Sequence, residues 1–276
     1  MIYTNFTNGF GNNIFQYNAA RVLAERLEDQ VLAIPPSKDY YGIEPLKTLG
    51  INFADSIPDN LITVNDSTYV KAFQSQDLKN KDIILNGYFE DYRFYLPLRK
   101  KIKSWFPEVP QRNDNDLVLH MRTGDRLFMK NEFYTKPKPE NFIRAIEKFN
   151  FDRLHIVSDM PKWDYITEEE LMKTNFHLKV PESESVPIKD SVDYFNSFVE
   201  KFSKFDPIYE KRDVHEDFNF IRSFNNILFE HGTLSWWAAF LSDARKVGVY
   251  GPWRSWKGKS NKNLSNVQLD NWFKWE

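Results

Sequence analysis

Apolar positions along the chain fall into short runs that end abruptly in polar or glycine-containing turns. These runs alternate with segments whose apolar residues recur every three or four positions. "MIYTNF" at the start is β-leaning and is followed by a turn, "TNGFGNN". From Ile14 onward Phe15, Ala19, Leu23 and Leu27 recur every fourth residue, which predicts a helix. "QVLAIPP" reads as a second strand, "DIIL" as a third followed by an aromatic-rich loop, and "LRKKIKSWF" as helical. The proline- and polar-rich stretch "PEVPQRNDND", about residues 107–116, reads as a domain boundary. Beyond it the alternation begins again with strand "LVLH" and a helix near 140–149. There Pro139 can occupy the first turn, and Phe142, Ile146 and Phe149 share a face. Strand "RLHIVSD", strand "NNILFEHGT", helix "LSWWAAFLSDA" and strand "KVGVYGP" complete the pattern. Residues 181–213 are polar with sparse periodicity and are expected to be an insertion or mobile segment. Strands alternating with helices predict parallel sheets in an α/β fold of two βαβ-type domains, residues 1–110 and 111–276.

Composition narrows the function classes. A chain of 276 residues with 41% hydrophobic and 28% charged residues can bury a sizeable core. The net charge of −2 and the lack of a basic stripe argue against a nucleic-acid partner. The absence of cysteine removes a disulfide scaffold, a thiol nucleophile and cysteine-based metal sites. The opening residues lack the basic and apolar regions of a secretory signal, and no apolar run is long enough for a membrane span. A cytoplasmic protein is therefore expected.

The polar punctuation sits where strands end, which is where open parallel sheets bind ligands. In "LHMRTGDR", residues 119–126, an apolar run delivers His120, Arg122 and Asp125 to its own tip. An arginine fork matches phosphate oxygens with two hydrogen bonds, so Arg122 can reach a diphosphate; the bland alternative is an Arg122–Asp125 pair that closes a loop. His120 can touch a sugar or base, and Asp159 at the end of "IVSD" can hold a ribose hydroxyl, a nucleobase edge or a helix start. Thr233 and Ser235 lie where a strand turns into a helix, a geometry shared by N-capping and anion binding. Gly11 and Asn12 lie in the first glycine-containing turn, which either lets backbone approach a ligand or is a tight strand–helix turn. The five histidines show no metal-ligand spacing. "DND" at 114–116 matches the D-x-D pattern of metal-dependent glycosyltransferases, but it precedes a strand, where no ligand is expected.

Taken in order, these stretches resemble the bacterial α-1,2-fucosyltransferase family, glycosyltransferase family eleven. "NGFGNNIFQYNAAR" is similar to the family's G-G-L-G-N-Q-M-F-Q-Y-A opening, and "LNGYFEDYRFY" to its G-Y-[FW]-Q-x-x-x-Y-F segment. "LHMRTGDR" resembles H-x-R-R-G-D-Y, "HIVSDM" resembles F-S-D-D, and "ILFEHGTLSWWAAFL" resembles the block ending S-[ST]-F-S-W-W-x-A-W-L. "VGVYGPWRSW" is similar to the closing V-x-x-P-x-x-W. The resemblance implies a GT-B-like arrangement of two Rossmann-type domains with a donor cleft between them. It implies a GDP-fucose donor, a glycan or polysaccharide acceptor, inversion at the anomeric carbon, and no metal or other cofactor. By position Arg122 would contact the donor diphosphate, and His120 and Asp159 the nucleoside. Thr233 and Ser235 would supply phosphate-side hydroxyls, while Asn12, with Gly11 beside it, would face the transferred sugar. Asp125, Glu90 and Asp91 are candidates for a general base. Thr123, Arg126, Met160 and Asn13 depart from the family pattern, all on the donor side. The alternatives are therefore a glycosyltransferase using another nucleotide sugar, or a non-catalytic nucleotide-sugar-binding protein on the same scaffold.

Overall fold

A computed structural model describes residues 1–7, 9–130, 136–251 and 269–275. The architecture is α/β with two parallel sheets, one in each of two compact units. The first unit comprises Met1–Val109, Val214–Asn219 and Thr233–Leu241; the second comprises Pro110–Asp213, Phe220–Gly232 and Ser242–Glu276. The chain leaves the first unit near residue 110, but the helix of the "LSWWAAFL" stretch groups with the first unit although it lies far into the second half of the sequence.

In chain order the elements begin β1 (Ile2–Asn5), α1 (Phe10–Leu27), β2 (Val31–Ile34), α2 (Ile43–Thr48), β3 (Ile62–Val64), α3 (Tyr69–Gln74), β4 (Ile83–Leu85) and α4 (Arg99–Lys103). They continue with β5 (Leu117–Met121), α5 (Pro139–Ile146), β6 (Leu154–Ser158), α6 (Glu168–Met172), α7 (Ile188–Phe202), β7 (Ile208–Tyr209) and α8 (Val214–Arg222). The last are β8 (Asn226–Phe229), α9 (Thr233–Leu241), β9 (Lys246–Tyr250) and β10 (Phe273–Trp275). The sheet of the first unit runs β2-β1-β4-β3 and that of the second β10-β9-β8-β5-β6-β7, every pair parallel. In the second sheet the chain moves outward from β5 through β6 and β7. It then returns to the other side of β5 and moves outward again through β8, β9 and β10. This is the Rossmann order, with its switch point between β5 and β8.

Helix α1 is buried around most of its circumference, so its polar residues are internal: Asn18 Nδ2 donates to Ile14 O at 3.0 Å, and Asn13 Nδ2 to the Tyr40 hydroxyl at 2.8 Å. Against it lies an aromatic core. The Phe15 ring sits 4.7 Å from Trp236 and 4.9 Å from Trp237, and Trp237 sits 5.1 Å from Tyr95. Both tryptophans are fully buried, so neither is a surface platform for a sugar. In the second unit Phe142 and Ile146 of α5 join Phe198 and Phe202 of α7 over the apolar faces of β5 and β6.

Several expectations change. Helix α1 begins at Phe10, not Ile14, so the glycine- and asparagine-containing stretch forms its first turn. The reason is packing: a Cβ on Gly11 would lie 2.2 Å from the backbone nitrogen of Leu234, so glycine lets α1 and α9 approach more closely than any other residue permits. Residues 181–213, expected to be an irregular insertion, contain the fifteen-residue helix α7. Its buried residues Val192, Phe195, Phe198 and Phe202 fall at helical spacing. The strands β3, β7 and β10 were not anticipated, being only two or three residues each. The stretch "PWRSW" and the rest of 252–268 lie outside the described residues.

The D-x-D pair lies at the start of β5, at the opposite end of the sheet from the strand tips, and both carboxylates are engaged by cations. Arg112 bonds Asp114 at 2.6 Å, while the buried Asp116 accepts from Arg112 at 3.1 Å, Arg153 at 3.1 Å and His155 Nε2 at 3.0 Å. Burial is the main cause that holds the His155 pKa below its ordinary value, so this imidazole is neutral at pH 7. Asp116→Ala strands a buried histidine and an arginine pair. It is expected to cost about 3 kcal/mol, seen as a fall in Tm of roughly 6–12 °C. A loss of less than a third of that would show the hub to be dispensable.

Candidate active site

Three neighbouring strands of the second unit end side by side, and each delivers one charged residue just past its last position: β8 delivers Glu230, β5 Arg122 and β6 Asp159. The loop after β5 is fixed by Asp159. Its Oδ1 accepts the backbone N–H of Thr123 at 3.0 Å, that of Gly124 at 2.7 Å and the Thr123 hydroxyl at 3.0 Å. The Thr123 hydroxyl also lies 2.6 Å from Ser158 Oγ. A Cβ on Gly124 would come within 2.1 Å of Asp159 Oδ2, so only glycine lets the loop close over that carboxylate. Asp159 is exposed, and its Oδ2 makes no hydrogen bond among the described residues.

Arg122 emerges from this loop with 44% of its side chain exposed, and its Nη2 lies 3.5 Å from Asp125 Oδ1, the outer limit of a hydrogen bond. His120, on β5 itself, is pushed down to about 3 by burial and then by the charges of Arg122 and Arg126; it is a neutral ring at any physiological pH. Glu230 is buried, and its carboxyl is pushed up to about 7. Burial is the main cause, opposed by Arg126 and by the Arg122 backbone N–H that it accepts, and reinforced by Asp159. At neutral pH the tip presents the guanidinium groups of Arg122 and Arg126 together with the side chains of Asp125 and Asp159 and a Glu230 carboxyl that is only partly ionised. An exposed arginine fork of this kind suits an anionic group.

The first unit carries a second polar cluster, built where α1 and α9 start. The Thr233 hydroxyl donates to Asn12 Oδ1 at 2.7 Å. Ser235 is fully buried. The space beside Gly11 is filled by Thr233 and Leu234 rather than left open to a ligand. Gln16 ties the two loops of this sheet together. Its Oε1 accepts from Thr7 N at 3.2 Å, and its Nε2 donates to Gly87 O at 2.9 Å. Just beyond, Phe89 is held at φ 55°, a left-handed conformation that costs energy for a bulky side chain. Asp66 Oδ1 holds its N–H at 2.6 Å, and the Tyr95 hydroxyl its carbonyl at 2.7 Å. Glu90 follows. Its carboxyl is pushed up to about 7 by burial and then by Asp66, and it makes no hydrogen bond or ion pair among the described residues. Asp91, by contrast, is bound side-on by Arg93 at 2.8 and 2.5 Å.

The sequence-derived residues thus fall into two groups. His120, Arg122, Asp125 and Asp159 meet at the strand tips of the second unit; Gly11, Asn12, Thr233 and Ser235 meet in the first. Glu230 and Gln16 were missed. Glu230 carried one available signal, an acid placed directly after the apolar run "NILF". Among the described residues no helix is long and apolar enough to cross a membrane, and no group of three or more acidic or histidine side chains could hold a metal ion.

No protein-family model matches the chain, and no curated protein matches it. A solved structure similar to it is TibC, a bacterial iron-containing dodecameric glycosyltransferase from enterotoxigenic E. coli. The TM-score is 0.41 at 11% identity, and the match covers 91% of this chain. The chain spans 58% of the length of that protein.

Glu230 makes the stability of the second unit depend on pH. Its pKa in the fold, about 7, exceeds its ordinary 4.5, so the cost of ionising it is absent below about pH 4.5 and complete above pH 7. Glu230→Gln removes the ionisable group at nearly constant shape. The variant is expected to gain on the wild type as pH rises from 5 to 8, by up to about 3 kcal/mol in urea-unfolding free energy. A difference that stays constant across this range would contradict the assignment.

Proposed function

We propose that this protein is a glycosyltransferase that moves a sugar from a nucleotide-sugar donor to a glycan hydroxyl, with GDP-fucose as the donor and inversion at the anomeric carbon. The observation that carries the reading is the position of Arg122: a half-exposed guanidinium on a pinned loop at the switch point of a Rossmann-ordered sheet. Ligands of open α/β sheets bind at that point. The order of sequence stretches resembling the fucosyltransferase family supports the finer choice of donor.

In glycosyl transfer the acceptor oxygen attacks the anomeric carbon, the bond from that carbon to the diphosphate breaks, and negative charge grows on the leaving phosphate oxygens. A fixed guanidinium aimed at that charge lowers the barrier, because its orientation is settled before the reaction begins. Arg122 supplies the fork, Asp125 restrains it, and Arg126 adds charge nearby. His120, being neutral, can accept or donate one hydrogen bond to the nucleoside without adding charge. The open Oδ2 of Asp159 can accept a ribose hydroxyl or a base N–H. The proton of the acceptor hydroxyl needs a carboxylate with affinity near neutrality. Of the three candidates Asp91 is occupied by Arg93, and Asp125 faces Arg122. Glu90 has the required affinity and no competing partner among the described residues. The Asn12–Thr233 pair offers the amide and hydroxyl groups that suit sugar hydroxyls. A metal-independent reaction is proposed on one ground: the D-x-D carboxylates that would hold an ion are bound to Arg112, Arg153 and His155.

Arg122→Ala is expected to lower transfer by about 10²–10³-fold while leaving the Tm near that of the wild type. A thermal-shift panel of nucleoside diphosphates should show selective stabilisation by GDP and its loss in the variant. Activity retained within severalfold, or strict dependence on Mn²⁺ or Mg²⁺, would reject the reading. Preference for UDP would replace the donor, and GDP-fucose binding without transfer or hydrolysis across many acceptors would make the protein a binder.

A further inference from the structure

The first unit repeats, at its own strand tips, the device that holds the loop after Arg122. The parallel neighbours β3 and β4 end side by side, and an acid just past β3, Asp66, grips the loop just past β4. Asp66 Oδ2 accepts the backbone N–H of Tyr88 at 3.1 Å, and Oδ1 accepts that of Phe89 at 2.6 Å. A Cβ on Gly87 would come within 2.4 Å of Asp66 Oδ2, as one on Gly124 would of Asp159. The segment that carries Asp66 is itself held. Asn65 Oδ1 accepts the N–H groups of Ser67 at 3.0 Å and Thr68 at 3.2 Å, and Thr68 Oγ1 accepts that of Asn65 at 2.9 Å. In the second unit the gripped loop follows Arg122; in the first it leads into Glu90.

The backbone on both sides of Glu90 is fixed. Phe89, before it, stands at φ 55°, a conformation that a buried phenylalanine keeps only where its surroundings enforce it. Asp66 enforces it at the N–H, and the Tyr95 hydroxyl at the carbonyl, 2.7 Å away. The Asp91 N–H reaches the same carbonyl at 2.9 Å and closes a three-residue turn with Glu90 at its centre. Asp91 in turn accepts the Arg93 N–H at 3.1 Å. The other titratable groups around the turn are Tyr69 on α3, Asp91, Arg93 and Tyr95. Burial raises both phenols, so they carry no charge, and Asp91 is bound by Arg93. Asp66 is the charge that adds to burial in raising the proton affinity of Glu90.

We propose that Asp66 is the positioning residue for Glu90: by holding the left-handed turn at Phe89 it aims the carboxylate that takes the proton of the attacking hydroxyl. This step rests on the transferase reading. With water as the simplest acceptor, the water oxygen bonds to the anomeric carbon and its proton passes to Glu90. GDP leaves with the electron pair of the broken bond.

Two measurements on the full chain test it. The first follows the Glu90 carboxyl carbon by ¹³C NMR across pH, its signal identified by its loss in Glu90→Gln. Asp66→Asn changes an exposed position at constant shape, and it is expected to lower the Glu90 midpoint by about one pH unit, because a neighbouring negative charge is gone. The second is kcat for GDP release from GDP-fucose with water as acceptor. Glu90→Gln should lower it about 10²-fold and Asp66→Asn about tenfold, with KM for the donor within about twofold. In the Glu90→Gln background Asp66→Asn should change kcat by less than about twofold, since a residue that acts through Glu90 has nothing left to position. A merely structural role would lower kcat by the same factor in both backgrounds and overturns the proposal. An unmoved Glu90 midpoint in Asp66→Asn overturns it as well. No GDP release from the wild type, with the midpoint shift present, rejects the transferase reading and with it the catalytic part of the role. Release that Glu90→Gln leaves intact rejects Glu90 as the base and the inference alone, so the two failures are told apart.

Discussion

A single carboxylate oxygen, Asp159 Oδ1, takes two backbone N–H groups and a hydroxyl from the residues that follow β5. A loop of this kind would otherwise sample many conformations, and each ordered residue costs about 1–2 kcal/mol of backbone entropy. Three hydrogen bonds to one carboxylate oxygen offset much of that cost and fix the backbone that directly follows Arg122. The glycine at 124 is part of the same constraint, since any side chain there would collide with the carboxylate that holds it. The tip can carry exposed charge because the loop beneath it has no freedom to fold that charge away.

The two ends of β5 show how position on a sheet decides the fate of similar residues. At its start Asp116 is buried and meets two arginines and a histidine, so its charge is spent inside the fold. At its far end Arg122 keeps 44% of its side chain exposed and reaches Asp125 at the outer limit of a hydrogen bond. The first arrangement is closed and serves stability; the second leaves much of a charged side chain at the surface. A D-x-D pattern read from letters alone does not distinguish these two ends, whereas the strand that follows it does.

Much of the fold was legible because runs such as "LVLH" and "NILF" are short, wholly apolar and bounded by turn residues, the signature of strands buried on both faces. What was missed has physical reasons. Gly11 and the asparagines beside it look like a turn, yet the glycine is there so that two helices can touch, a need visible only once α9 is placed. Helix α7 hid its apolar face at Val192, Phe195, Phe198 and Phe202 among lysines, aspartates and serines after two prolines. The strands β3, β7 and β10 are too short to carry a period. Arg122, Asp125 and Asp159 could be named from sequence because charge directly after an apolar run is unusual. That Asp159 holds the loop, and that Glu230 stands beside Arg122, depends on which strands are neighbours.

Neighbouring strands also set the electrostatics of the tip. Burial keeps His120 neutral, so its proximity to two arginines adds no repulsion. Burial likewise drives Glu230 towards its protonated form, although two guanidinium groups lie close enough to favour the charge. Were Glu230 fully ionised, it would neutralise part of the field that Arg122 and Arg126 project, and an anionic guest would compete with it. Because its proton is held near neutrality, any negative charge placed beside it would displace the balance further towards the protonated form. The same apolar packing that shapes the sheet therefore tunes how much positive charge its edge can offer.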